Sequence, residues 1–486
     1  MEHLKKLTIL HSNDMHGDFI EKTIDNKEVG GISMLSGYIS KVRQEVPNTL
    51  YVIAGDMFRG SIIDSEYRGI STIEIVNMLA PDVVTLGNHE LDYGLSHLLF
   101  VEKCSNFPII NANMYITTNH KRLFDSHIIL NVDGMNILFI GILTEEVIAT
   151  TKQDKLIGAI VDIEEAAIEV GKICNSYKSV DIDFTVLLTH IGIEKDKELA
   201  ASLDPRWGVD IIIGAHSHTF MDEALEVNGI PIAQAGEGTS QVGRFDININ
   251  TFDNSIESYT WNLVPIDEDT SEKDMQLEKI VNTYKDETDK KYSRVITRFM
   301  DAYTHPQRNT ETELGKLFAD AIKDALGVDL VFLGSGSIRA KTLGPIVLYQ
   351  DLMQIFPFDG ELSRIYVTGA QIKRMVRHIL RDESFNDTTE FYQFSRGFRI
   401  EYDRDNKDVI SVSLKGVEVK DDNQYTLALQ EFHLKNIEEF LDVKLDEVSS
   451  YKRPKVLSTS GTDLLEEYLS NHEKIRVTEE KRLVFV

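Results

Sequence analysis

The chain has 486 residues, 42% hydrophobic and 27% charged, with a formal net charge of −28. That length exceeds one ordinary core and implies two domains or three, and the composition excludes a largely disordered chain. The charge disfavours any partner held through a nucleic-acid backbone, because such binding needs phosphates neutralised by cations. It leaves room for a phosphorylated small molecule bound through metals or a few arginines. No run reaches the ~18 apolar residues of a membrane span, so no membrane partner is expected. The start, MEHLKKLTILHSND, has too short an apolar stretch for a signal-peptide core. A cytoplasmic location is expected unless an export signal precedes this sequence in the natural protein. Cys104 and Cys174 lie in no metal-binding or redox spacing and read as buried free thiols.

In chain order, β-branched runs at 6–13, 49–54, 82–86, 136–142, 183–189, 209–213 and 230–235 predict strands. Segments such as 31–45 and 162–177 carry apolar residues at helical spacing between them. This alternation predicts an α/β domain over 1–265. The segment 266–299 is highly charged and predicts a linker helix, with Met275, Leu277, Ile280, Val281 and Tyr284 as its apolar side. A second α/β region follows over 300–486. Within it, 372–381 (IKRMVRHILR) has an apolar stripe of Ile372, Met375, Val376, Ile379 and Leu380, so its basic residues read as a solvated face.

Polar clusters stand just past the ends of the first strands: Asp14 and His16, Gly55-Asp56, Gly87-Asn88-His89-Glu90, His190, and Gly214-Ala215-His216-Ser217-His218. Singly, each reads as a turn or capping residue. Together they gather at the carboxyl ends of strands, where open α/β sheets bind ligands. Asp, Asn and His donors in this number suit two divalent ions of the Zn²⁺ or Mn²⁺ type if one carboxylate bridges them. In an extended chain, Asp14 and His16 would point the same way, as would His216 and His218. Gly55, Gly87 and Gly214 would relieve crowding near the metals, and Glu90 reads as a solvated or capping residue.

The blocks LHSNDMHG, IAGDMFRGS, LGNHELDYG, LLTHIG and IGAHSHT resemble, in order and spacing, the calcineurin-like metallophosphoesterases. The likeness is closer to the bifunctional 5′-nucleotidase, UDP-sugar hydrolase and 2′,3′-cyclic-nucleotide phosphodiesterase group. It implies an N-terminal four-layer αββα sandwich, and a C-terminal α/β substrate-binding domain joined to it by the linker helix. It further implies one metal on Asp14, His16, Asp56 and His218 and another on Asp56, Asn88, His190 and His216. The ions would be Zn²⁺ or Mn²⁺, with Co²⁺ or Mg²⁺ as alternatives, and a hydroxide between them would attack phosphorus. His89 matches the family's catalytic histidine and Asp92 its partner.

In the second half, QRNTETELGKLFADAI, FLGSGSIRAKT and FPFDGEL resemble the family's substrate domain. Arg308, Arg339, Phe358 and Phe440 are the matching substrate-binding residues. FLGSGSIRAKT is no P-loop, since Ala340 precedes Lys341 and Ser335 stands where a glycine is required. Nor does it meet the GxSxG pattern of a serine hydrolase. Two departures stand out: Gly334 occupies the place of an asparagine, and FHLKNIEEF lacks the glycines of the family's loop. Phe440 there reads equally as a core residue or as a stacking one. The implied reaction is release of phosphate from nucleoside 5′-monophosphates. Nucleotide sugars or 2′,3′-cyclic nucleotides are alternative substrates on the same site, and a non-catalytic nucleotide-binding protein is the remaining alternative. Hinge motion about the linker is expected.

Overall fold

The computed structural model describes residues 3–116, 119–145, 162–357, 360–386, 389–472, 475 and 480–486, and the backbone alone of 157–160. The chain divides into two compact units, Met1–Thr288 and Asp289–Val486. Among the described residues no helix is long and apolar enough to cross a membrane.

The first unit is built on two six-stranded sheets. One runs, in spatial order, Ser255–Pro265, Gln241–Asn250, Leu4–Ser12, Thr49–Ile53, Val83–Thr85, Ile109–Ile110; the other runs Leu225–Val227, Ile230–Ala233, Ile211–Ile213, Phe184–His190, Met135–Leu143, His127–Val132. Side chains alternate across each strand, so a sheet covered on both faces needs apolar residues at every position. Leu50 and Val52 enter the layer between the sheets, while Tyr51 and Ile53 face outward into a second core. Likewise Ile137 and Phe139 face inward, and Leu138, Ile140 and Ile142 outward. Helices Ile32–Glu45, Ile70–Leu79 and Leu95–Cys104 complete the outer core of the first sheet. Helices Ile163–Ser176 and Ile193–Ser202 complete that of the second. The result is a four-layer αββα sandwich.

In each sheet four neighbouring strands are parallel, and their carboxyl ends share one edge. The antiparallel arm Gln241–Asn250 was not among the predicted strands. Its alternation from Phe245 on, with Phe245, Ile247 and Ile249 buried, is the signal that would have found it. The free thiols also differ from expectation, for Cys104 is exposed and Cys174 only half-buried.

A helix spans Met275–Tyr292, and the division between the units falls inside it. Its residues Leu277 and Val281 are buried in the outer core of the first sheet. In the second unit the main sheet runs Tyr392–Phe394, Leu330–Gly334, Gln424–Gln430, Leu362–Thr368, Lys455–Ser458. Leu330–Gly334 and Gln424–Gln430 are adjacent and parallel, so their carboxyl ends open side by side. Helix Glu313–Leu326 packs on this sheet, started by the Thr312 hydroxyl accepting the Gly315 N–H and stopped by left-handed Gly327. The basic helix Gly369–Ile379 buries its apolar stripe as expected. Its cations are matched by acids, Lys373 with Asp421, Arg374 with Glu447 and Arg377 with Asp408.

Candidate active site

Seven polar residues cluster at the shared strand edge of the first unit. Asp14, Asp56 and His190 are almost wholly buried. The His190 Nε2 lies 3.1 Å from Asp56 Oδ2, 3.1 Å from Asn88 Oδ1 and 3.8 Å from Asp14 Oδ1. His16 Nε2 and His218 Nε2 are 3.2 Å apart, and the latter is 3.5 Å from Asp14 Oδ1. Donor atoms of Asp14, His16 and His218 all lie within 4.8 Å of one another, as do those of Asp14, Asp56 and His190. The same spacing holds for His16, Asp56 and His89. The His216 ring lies 5.1 Å from that of His190, tilted by 58°, and its backbone N–H donates to Asp14 Oδ2 at 2.9 Å. His216 does not join those three groups of converging donors.

The Nδ1 atoms explain the direction of the rings. His190 Nδ1 donates to the Ala54 carbonyl at 2.9 Å, and His16 Nδ1 to the Phe58 carbonyl at 3.2 Å. His218 Nδ1 donates to Glu237 Oε2 at 2.7 Å. Each bond fixes a proton on Nδ1 and aims Nε2 into the cluster, which is how metal-binding imidazoles are oriented. The electrostatics agree. Burial opposes charge on both members of the Asp56–His190 pair, yet their mutual attraction holds the Asp56 carboxyl down and the imidazole up. A divalent cation would take over the compensating role of that imidazole proton, so the donor set fits a metal centre.

Backbone conformation marks the same residues. Asp14 (φ 49°), His16 (49°), Asp56 (53°), His216 (81°) and His218 (49°) all adopt the left-handed region. For non-glycine residues this costs on the order of 1–3 kcal/mol each and is typical of functional sites. The expectation of an extended Asp14-x-His16 and His216-x-His218 is therefore corrected. Both pairs reach the cluster from tight turns past the strand ends, not from strand geometry. Gly55 and Gly87 lie back to back, and a Cβ on Gly55 would fall 2.6 Å from the Gly87 nitrogen and 2.8 Å from His190 Nδ1. Gly214 has a different reason: its missing Cβ makes room for the Asp196 carboxylate, 2.1 Å from that point.

Asp196 is fully buried and accepts hydrogen bonds from Thr189 and Gln234. Burial pushes its carboxyl up to about 7, against those two bonds. The folded state thus keeps a proton that the unfolded state releases near pH 4, so this contribution is complete below that pH and lost as pH rises to about 7. Denaturant unfolding from pH 4 to 7 is expected to show wild type losing up to about 1.4 kcal/mol per pH unit more than Asp196→Asn. Parallel pH profiles for the two proteins would contradict it.

His89 sits on a short helical turn, His89–Leu91, and its Nδ1 donates to Asp92 Oδ2 at 2.7 Å. That bond favours the charged imidazole and outweighs partial burial in raising its pKa. Asp92 also pairs with Arg59 Nε at 3.0 Å, a residue sequence reasoning missed. Glu90 is not solvated; it is buried and accepts backbone N–H bonds from Asp56 (3.0 Å), Met57 (2.7 Å) and Gly87 (2.6 Å). Burial, together with the neighbouring Asp56 charge, pushes its carboxyl up to about 7 against the pull of these bonds. Glu90 therefore ties the Asp56 turn to the Asn88 turn. Glu237, which holds the His218 ring, comes from a separate loop with no sequence signal of that role.

In the second unit, Arg308 and Arg339 are exposed and share an acidic neighbour. This is Glu390, raised by burial against the pull of both guanidinium groups and of the Gly336 N–H, which donates to it at 2.6 Å. Phe358 lies outside the described residues. Phe440 is half-buried, packing on the core with its ring 5.6 Å from that of exposed Phe432. The stretch without glycines folds as two short helices, Glu431–Lys435 and Ile437–Leu441.

The fold and the cluster together define a phosphoesterase-type catalytic unit. Residues 7–220 match the calcineurin-like phosphoesterase family model, and 290–443 match that of the 5′-nucleotidase C-terminal domain. The chain thus carries a calcineurin-like phosphoesterase domain followed by a 5′-nucleotidase C-terminal domain. It is 26% identical over 459 residues to Endonuclease YhcR of Bacillus subtilis, covering 88% of this chain but only 37% of that protein. It is also 26% identical to mouse 5′-nucleotidase, covering 83% of this chain and 76% of the relative. A solved 5′-nucleotidase precursor from Thermus thermophilus shares the fold at a TM-score of 0.62 and 21% identity, over 99% of both chains.

Proposed function

We propose that the chain hydrolyses nucleoside 5′-monophosphates to nucleoside and inorganic phosphate. The observation that carries this reading is the set of imidazole nitrogens and buried carboxylates converging beside the His89–Asp92 pair. Asp14, His16, Asp56 and His218 would hold one divalent ion, and Asp56, Asn88, His190 and His216 a second. Such ions, Zn²⁺ or Mn²⁺ by donor type and Co²⁺ or Mg²⁺ as alternatives, supply a water nucleophile at neutral pH and offset phosphoryl charge. His89, held by Asp92, would stabilise charge on the phosphoryl oxygens or protonate the leaving oxygen. Arg308 and Arg339 carry the bidentate donors that suit an anionic substrate, and Phe358 and Phe440 would stack on the base.

Similarity to mouse 5′-nucleotidase over most of both chains supports the substrate class. The net charge of −28 weighs against a nuclease that tracks a long phosphate backbone. Phosphate release measured over nucleoside monophosphates, nucleotide sugars and 2′,3′-cyclic nucleotides, with Mn²⁺, Zn²⁺, Co²⁺ or Mg²⁺, tests the reading. Monophosphates are expected to give the highest kcat/KM. Preference for either of the other two classes would replace the proposal with that alternative.

A further inference from the structure

The space above Gly334 is filled by an imidazole. Gly334 ends the strand Leu330–Gly334, and a Cβ there would fall 2.2 Å from His433 Nε2. Glycine inside a strand weakens it, and its presence marks a close approach. Here the approaching group is His433, on the helix that follows the adjacent parallel strand Gln424–Gln430. The imidazole is 3% exposed, and its Nδ1 is held by the Tyr392 hydroxyl at 2.8 Å. Among the described residues nothing bonds Nε2. Nε2 is not among the fully enclosed polar atoms that lack a partner, so part of the ring's small exposure falls on this nitrogen, and an unbonded, reachable nitrogen on an otherwise buried ring can meet a ligand.

The surroundings indicate the chemistry of that ligand. Burial holds the imidazole neutral, with its pKa pushed down to about 4, so it offers a hydrogen bond rather than a charge. If the tyrosine donates to Nδ1, Nε2 carries a hydrogen; with the bond reversed, Nε2 accepts. The rings of Phe432 and Phe440 stand edge-on to the imidazole at 5.4 and 5.5 Å, providing apolar walls. The turn after Gly334 leads directly to Arg339, and Ser337 on it bonds Gln430 at the base of the His433 helix. One adaptable hydrogen bond, aromatic walls and a nearby guanidinium suit a planar heteroaromatic group carrying phosphate.

We infer that His433 is a specificity-determining residue whose Nε2 hydrogen-bonds the edge of the substrate's base, in space that only glycine at 334 leaves open. The inference rests on the nucleotidase reading above. Because Nε2 can donate or accept, different bases are accommodated, whereas a substrate without a base is not.

The test compares AMP with ribose 5-phosphate. In His433→Ala, the KM for AMP is expected to rise about tenfold, the scale of one neutral hydrogen bond lost in a dry site. The kcat should change by less than about twofold, and the preference for AMP over ribose 5-phosphate should fall with the KM effect. His433→Gln, which keeps a hydrogen-bonding end group, should retain most of the preference and serves if the alanine variant does not fold. Gly334→Asn should impair AMP use, because its side chain meets the imidazole. An unchanged preference in folded His433→Ala, or equal losses in the Ala and Gln variants, would overturn the assignment alone. A wild type that does not distinguish AMP from ribose 5-phosphate, or cleaves neither, would overturn the nucleotidase reading and this inference with it.

Discussion

Asp56→Asn is expected to lower phosphate release from AMP by at least about 100-fold, the loss that outer partners of a metal site alone can cause. Bound metal should fall in the same variant. Asp56, like Asp14, belongs to two of the three converging groups, and its Oδ2 is nearer to His190 Nε2 than the Asp14 carboxylate is. Asparagine preserves the oxygen that accepts the His89 N–H at 2.8 Å, so the turn should survive. What disappears is the charge that two cations would share and that His190 balances in their absence. Metal content is read by elemental analysis and folding by thermal melting. A variant that keeps both metal and activity would show that the cluster is not the catalytic centre.

His89→Ala is the second large effect, with kcat expected to fall by about 10²- to 10⁴-fold, the range for loss of a positioned acid or base. The structure makes this variant informative beyond its rate. The donor atoms of His89, His16 and Asp56 lie within 4.8 Å of one another, so geometry alone would allow His89 to be a ligand. Its Nδ1 is committed to Asp92, which Arg59 also engages, an arrangement suited to orienting an imidazole that handles protons. The proposal therefore requires unchanged metal stoichiometry in His89→Ala. Loss of one ion per chain would reassign His89 to the metal centre.

Much of the first unit was legible because its strands are covered on both faces and so read as unbroken β-branched runs, as at Ile211–Ile213 and Thr49–Ile53. Once those runs were placed, the polar residues beyond their ends fell on one edge by topology alone. The arm Gln241–Asn250, half-buried and alternating, was harder to see. Backbone strain was not legible: nothing in the letters Asp14 or His218 shows that the residue is left-handed. Nor does sequence show that Glu90, one place from a proposed catalytic histidine, turns inward to bind three amides. In the second unit the departures at Gly334 and FHLKNIEEF could be read as differences. Only the structure shows that the two meet, with His433 packed over Gly334, because they lie on different strand–loop connections.

The central claim is that this cluster releases phosphate from nucleotides through divalent metals. Its most direct test is AMP hydrolysis by the chelator-stripped chain, measured before and after stoichiometric return of Mn²⁺ or Zn²⁺ with bound metal counted in parallel. The account predicts negligible phosphate release from stripped protein and recovery that saturates as about two ions bind per chain. Full activity after stripping, or bound metal without any release of phosphate from AMP, would contradict it.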